Sequence, residues 1–350
     1  MKVSTKIHIP LVLALLFGLS IIMFTSYQSI NTIRQGTYQD EAKSLVQSFE
    51  QKFQAKTDVA LSNAINIAHN YFVISALQEN KRAIAIEGLQ PIIETYNKYT
   101  KFKNIKIHLH DKNVNSFVRL WKLDKYGDDL KGFRNTIVAT KQYKKPLATI
   151  ELGRAGLILR GLSPVMLGEQ YLGSVEFMQD LNSIVTDAKQ EGLEVAIFMR
   201  SQYIDVATKL QSAPRLSNQF VLASKPSLLN SAFFDELKTV DISKMGKTAH
   251  YFYTSVAIKD FQDKIVGYAV MGKALSKVEA VVSMAQSALF TQVSVMVLID
   301  VIVLFMLAFV IHKIIIAPIK YISEVLSSGE GDLNKRLDIN SHDELAIIAM

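Results

Sequence analysis

The 350-residue chain contains no cysteine. That one absence excludes disulfide scaffolds, cysteine-ligated zinc, iron–sulfur clusters and cysteine nucleophiles together. Proline is scarce at seven residues and glycine at 16, which excludes collagen-like and Pro/Gly-rich low-complexity chains. Charged residues make up 20% of the chain and hydrophobic residues 49%. This is too apolar for disorder and somewhat too apolar for an ordinary cytosolic enzyme. Catalytic signatures are also missing: there is no GxSxG, HExxH or Walker loop, and no Ser/His/Asp spacing. No enzymatic activity, catalytic residue or cofactor is therefore expected. The formal net charge of +7 is modest and is not gathered into a patch, so nucleic acid is not an expected partner.

The apolar excess lies in two places. Ile9 to Phe24 carries no charge and is preceded by Lys2 and Lys6; Val293 to Ile311 is broken only by Asp300 and is followed by His312 and Lys313. Crossing ~30 Å of hydrocarbon takes ~20 residues, and both runs reach that once their flanks are counted. No small-residue cleavage site follows Phe24, so the first run reads as an uncleaved signal anchor. Lys2 and Lys6 at one end, and His312, Lys313 and Lys320 at the other, predict both termini in the cytoplasm. The expectation is a multi-pass inner-membrane protein: residues 1–29 as tip and first span, 30–288 in the periplasm, 289–312 as second span, 313–350 beyond it. Asp300 stands where an ionised carboxylate is costly, so it is read as protonated or bonded to a neighbouring helix.

Between the spans the periodicity changes. Ser26 to about Ala68 predicts one long helix, with more helix to about Tyr99 interrupted near Asn80. Ile105, Ile107 and Leu109 alternate with Lys106, His108 and His110 as a half-buried strand; a turn at Asp111–Asn113 leads to a returning strand through Phe117–Trp121. Asp128 reads as the N-cap of a short helix running through Thr136. Strands follow at about 147–151, 156–165 and 171–178. The segment around Leu172-Gly173-Ser174-Val175 then recurs as Val266-Gly267-Tyr268-Ala269, each copy followed by a helix. The fold class expected is therefore α+β: two stacked modules, a distal one at about 70–187 and a proximal one at about 190–275, on a long N-terminal helix. A helix from about Ser276 enters the second span without a breaker.

After that span, Ile316-Ala317-Pro318-Ile319, GEGDLNKRL at 329–337 and Asp343-Glu344-Leu345 resemble a HAMP linker of the methyl-accepting chemotaxis type. The outer segment resembles a double Cache (PAS-like) sensor domain, carried by FVRLWKLDKYGDDLKGFR at 117–134, IELGRAGLILRG at 150–161 and YLGSVEF at 171–177. Together the resemblances imply a homodimeric transmembrane chemoreceptor with its ligand pocket in the distal module. They also imply a cytoplasmic chemotaxis kinase and adaptor as partners if an output domain follows. The HAMP-like stretch stops at Met350, short of its second helix, so the expectation is a sequence cut before its signalling domain. The same front half occurs on sensor histidine kinases and diguanylate cyclases. A non-sensory membrane-anchored scaffold is the reading from another class.

A small polar ligand needs a concave site with a few convergent polar groups. Arg119 and Trp121, two apart on a strand, are expected to share a face, with Arg134 and Arg160 as further cationic donors; Arg forks match carboxylates. Asp128 completes the candidate set, although surface pairing of Arg119 with Asp128 or Asp129 is the plain structural reading. The resemblance gives Glu176 the part of an acid that holds a ligand amine. An amino acid or small organic acid is the expected ligand. His108 and His110, with Glu176 as a third group, have the residue types of a zinc site. They are nevertheless read as exposed histidines on a half-buried strand, and no metal is expected. Asp300, Pro318 and Glu344 are placed on the route of signal transmission.

Overall fold

The computed structural model describes residues 3–100 and 105–327. Helix α1 runs without interruption over Val3–Ala68. Gly36 is its last glycine and Pro10 its only proline, so nothing breaks the helix further on. Its outer part buries Ala42, Leu45, Phe49, Ala60, Ala64 and Ile67, a spacing of three and four that keeps one stripe inward. Asn70 then caps α2 (Tyr71–Gln78) by accepting from the Phe72 amide. Asn80, at φ +53°, turns the chain into α3 (Arg82–Tyr99).

Two antiparallel sheets follow. The first contains β1 (Lys106–Asp111), β2 (Ser116–Arg119), β3 (Leu147–Gly153), β4 (Gly156–Leu167) and β5 (Gln170–Gln179), in the order β2-β1-β5-β4-β3. Helix α4 (Asn135–Tyr143) lies between β2 and β3 in sequence, and α5 (Asn182–Gln190) follows β5. The second sheet contains β6 (Glu194–Arg200), β7 (Arg215–Leu216), β8 (Phe220–Leu222), β9 (Gly246–Lys247), β10 (Tyr251–Lys259) and β11 (Ile265–Ala274), with α6 (Ser231–Leu237) between β8 and β9. Its order, β7-β8-β6-β11-β10-β9, repeats the first with one short strand added at the edge. The repeat seen in the sequence is thus a repeat of topology. The turns that close each last hairpin hold Gly168 and Asp263 at positive φ, as their tightness requires.

The main core joins α1, α2 and α3 to one face of both sheets, through residues such as Phe49, Leu109, Phe177, Ile197 and Met271. Each large side chain removed from water there contributes about 1.5–3 kcal/mol. Gly161 on β4 makes this possible at one point: a Cβ there would meet the Ala60 carbonyl of α1 at 2.2 Å.

Helix α7 (Leu275–Val310) begins where β11 ends. Residues Ile311–Ile316 form a π-helical stretch, and α8 (Ala317–Ser327) follows. Pro318 has no N–H to offer, and a widened turn just before it absorbs that loss. The chain divides into two compact units: residues 38–279, and the two apolar helical ends. Helices α1 and α7 are both long and apolar enough to cross a membrane, and the apolar window of each is unburied. The expected HAMP features at 329–337 and Asp343–Leu345, including Glu344, lie outside the described residues.

Candidate functional site

Register supplies an internal comparison between the two modules. Aligning β5 with β11 through Gly173 and Gly267, together with the strands paired to each, matches the sheets position by position. On the face packed in the main core, Ile107, Leu109, Leu159, Val175 and Phe177 match Val195, Ile197, Phe252, Ala269 and Met271. Both sets are apolar. On the other face the likeness ends. The second module has Ala196, Phe198, Tyr253, Tyr268 and Val270, which pack with Phe233, Phe234 and Leu237 of α6. The first module has His108, His110, Arg160, Ser174 and Glu176 at those positions, all buried.

Glu176 is the centre of this polar face. Its Oε1 accepts from Arg160 Nη1 at 2.7 Å and from Arg134 Nη2. Arg134 Nε donates to Glu151 Oε2 at 2.7 Å, and Arg160 Nε lies 3.3 Å from the same oxygen. Glu151, on β3, also accepts from Thr136 Oγ1 at 3.0 Å. The same carboxylate accepts from the Thr136 backbone N–H at 3.5 Å and so caps α4, whose own N-cap residue Arg134 makes no capping hydrogen bond. Two guanidinium groups and two carboxylates make this buried ring neutral as a whole, whereas any one of them alone would be costly.

The histidines sit beside the ring. His110 Nε2 is 3.0 Å from His108 Nδ1; the outer nitrogens bond Ser174 Oγ (His110 Nδ1, 2.9 Å) and Ser116 Oγ (His108 Nε2, 2.8 Å). Glu176 Oε2 accepts no hydrogen bond and lies 3.5 Å from His108 Nδ1 and 3.9 Å from His110 Nε2. Burial pushes His108 down to about 4 and His110 well below its ordinary value, so both are neutral at pH 7. Burial alone would raise the Glu176 carboxyl, but Arg134 and Arg160 outweigh it and hold it well below the usual carboxylate range.

Of the residues singled out in the sequence, Arg134, Arg160 and Glu176 come together here. Arg119 does not. Its two terminal nitrogens grip Asp128 at 2.6 and 2.7 Å, and Nη1 also donates to the Lys125 carbonyl. That pairing overturns Asp128 as a helix cap: α4 begins only at Asn135. Residues between β2 and α4 instead fold back on the β1–β2 hairpin, with Gly127 N–H donating to Ser116 and Leu130 N–H to Val114. Trp121 does not share a strand face with Arg119, because β2 ends at Arg119 and Lys122 N–H closes a turn onto its carbonyl. The indole is 41% exposed and meets the His108 ring edge-on at 5.6 Å.

The expectation of exposed histidines is also overturned. His108 is 2% exposed and His110 fully buried, because their side of the sheet is covered rather than solvated. Glu151, Ser116, Ser174 and Thr136 were not anticipated. Strand alternation from Ile150 would have turned Glu151 to this face, but nothing in the sequence says the face is closed.

No curated protein matches the chain. Solved structures similar to it include the sensor domain of the V. cholerae histidine kinase DctB, at 13% identity over 67% of this chain and 96% of that one, with a TM-score of 0.41. The ligand-binding domain of Pseudomonas fluorescens chemoreceptor CtaA in complex with L-isoleucine is 11% identical over 73% and 99%, at TM-score 0.37. That of Campylobacter jejuni chemoreceptor Tlp3 in complex with 4-methylisoleucine is 13% identical over 70% and 94%, at 0.38. With identities and TM-scores this low, the assignment rests on the family model described as the double sensory domain of two-component sensor kinase (dCache_3), which matches residues 35–278. The chain, with its two sheets of one topology on a long helix, belongs to that family of double sensory domains.

Proposed function

We propose that this chain is a transmembrane receptor that binds an amino acid or small organic acid at the polar face of its first module and passes the event through α7. The observation that carries the reading is the contrast between the modules. One sheet face is closed by Phe198, Phe233 and Tyr253 in the second module, and by His108, Arg134, Arg160 and Glu176 in the first. Burying two guanidinium groups, a carboxylate and an imidazole where apolar groups suffice elsewhere in the same fold is costly in stability, and costs of that kind concentrate at functional sites. The ring of Arg134, Arg160, Glu151 and Glu176 is neutral, so an entering molecule must bring its own charge compensation. A zwitterionic amino acid does so within itself, its carboxylate toward the arginines and its ammonium toward Glu176 or Glu151.

Transmission follows from connectivity. Strand β11 passes directly into α7, which continues as helix to Val310. A ligand can shift such an element only by its differential affinity for two arrangements, typically ~1–3 kcal/mol. Asp300 and Pro318 lie along this route, and Glu344 would lie beyond it in the HAMP-like segment. We place the sensory domain in the periplasm and both termini in the cytoplasm, with the receptor a homodimer feeding a chemotaxis-type output through HAMP. The family's description as a domain of sensor kinases supports a histidine kinase output as the second reading.

The test is a thermal-shift and calorimetric screen of the whole chain in nanodiscs against amino acids and short organic acids. A hundredfold excess over Kd stabilises by about 2.7 kcal/mol. A hit that Arg134→Ala or Arg160→Ala abolishes is the expected result. Silence across the panel, or a hit indifferent to both substitutions, would overturn the reading and favour a scaffold role.

A further inference from the structure

The hydrogen bonding described for the first module leaves one feature without a role. Three potential ligand atoms from two neighbouring strands, His108 Nδ1, His110 Nε2 and Glu176 Oε2, converge with separations of 3.0, 3.5 and 3.9 Å. Three ligands of a tetrahedral ion stand about 3.3 Å apart, since zinc bonds to nitrogen and oxygen run about 2.0–2.1 Å. The observed triangle brackets that value. All three side chains are buried, and Glu176 Oε2, wholly enclosed, has no close hydrogen-bond donor, its nearest being His108 Nδ1 at 3.5 Å. A buried acceptor left without a donor is uncommon and calls for an explanation.

The surroundings fit the same reading. Metal-bound histidines nearly always anchor their second ring nitrogen, which fixes the orientation of the first. Here Ser116 anchors His108 and Ser174 anchors His110, at 2.8 and 2.9 Å. The other carboxylate oxygen, Glu176 Oε1, is held by Arg160 and Arg134, so Oε2 is aimed at the imidazoles. A nitrogen-rich donor set of this kind suits zinc and its neighbours in the first transition row rather than calcium or magnesium.

We propose that His108, His110 and Glu176 form a binding site for a divalent transition-metal ion of the zinc class, with a fourth position open to an anionic ligand such as hydroxide. The arginines beside Glu176 make a lone dication unwelcome, so the ion enters with an anionic fourth ligand. The site deepens the sensory reading without depending on an amino-acid ligand, because the two are separable by experiment.

The second module supplies tolerated replacements. Ala196 and Phe198 occupy the positions that match His108 and His110, so His108→Ala and His110→Phe copy residues this topology already buries. The whole chain, free of any affinity tag, is dialysed against Zn2+ and the bound metal counted; Co2+ is titrated in parallel for its tetrahedral visible bands. Wild type is expected to retain one zinc per chain and to show the cobalt bands. Both histidine variants are expected to lose them while melting as cooperatively as wild type without metal. Ser116→Ala and Ser174→Ala are expected to weaken zinc about 10- to 100-fold. No retained zinc in wild type, or equal retention in His110→Phe, would overturn the site. Amino-acid calorimetry on chelator-treated protein reports on the ligand reading separately, so either can fail alone.

Discussion

At the scale of single residues, the polar face behaves as one unit. Arg160 and Glu176 match Tyr253 and Val270 of the second module, so each exchange can be made singly and together. Arg160→Tyr alone leaves Glu176 with one guanidinium, and Glu176→Val alone leaves two cations over Glu151. Each is expected to destabilise by about 3–5 kcal/mol, the cost of an uncompensated buried charge. The double variant is expected to lose less than the sum, because it removes both partners. Urea unfolding followed by the fluorescence of Trp121, the only tryptophan, measures all three. Additive losses would mean that the ring carries no coupling.

The histidines set a pH dependence at the same scale. His108 faces Glu176, His110 and the charges of Arg134 and Arg119, and burial brings it from 6.5 to about 4. Between those values the unfolded chain takes up a proton that the folded one refuses. Stability is therefore full above pH 6.5 and falls as pH drops toward 4. For this one group the loss from pH 7 to 5 is about 2 kcal/mol. In chelator-treated protein, denaturation at both pH values is expected to show it, and His108→Ala to diminish it. Glu176, held low, contributes no loss in that window; its own contribution fails only as pH falls below the usual carboxylate range.

At the scale of elements, glycine separates the two modules' shared architecture from their separate chemistry. A Cβ at Gly173 would meet the His110 carbonyl oxygen at 2.1 Å, and one at Gly267 would meet that of Phe198 at 2.1 Å. The same clash at matched positions explains why this glycine recurs while its neighbours Ser174 and Tyr268 do not match. Alanine at either is expected to cost at least 1–3 kcal/mol, read as a lower melting temperature. Gly132→Ala, with nothing within 4 Å and an ordinary φ, is expected to be neutral. Gly161→Ala belongs with the damaging pair, since it presses on the α1 backbone at Ala60.

At the scale of the whole molecule, two helices join the sensory unit to segments apolar enough to cross a membrane. Both α1 and α7 run unbroken from the sensory unit into apolar segments. If α7 transmits, a polar group within its span should set the balance between two signalling states. Asp300→Asn, in a chimera carrying a known chemoreceptor or kinase output, is expected to change the ligand concentration for half-maximal response, measured as kinase activity. An unchanged response curve would remove Asp300 from the route.

The sequence by itself determined the long helices and the main strands, though not where α4 begins or β2 ends. Apolar runs of membrane length, helical spacing from Ser26 to Ala68, strand alternation and the recurring Gly173 and Gly267 segments are local patterns, and local patterns follow from the periods of helix and strand. Those patterns also brought Arg134 and Arg160 into one candidate set, to which the family resemblance added Glu176. What only the tertiary structure decided is which strand face is covered, and by what. His108 and His110 looked solvated because alternation reports that a face is different, not whether something packs on it. The burial of that face, the partner of Arg119, the turn that removes Trp121 from its strand and the arrival of Glu151 from β3 all depend on contacts between residues distant in sequence. Charge pairing in a covered space is a property of the assembled sheet, and no window of sequence contains it.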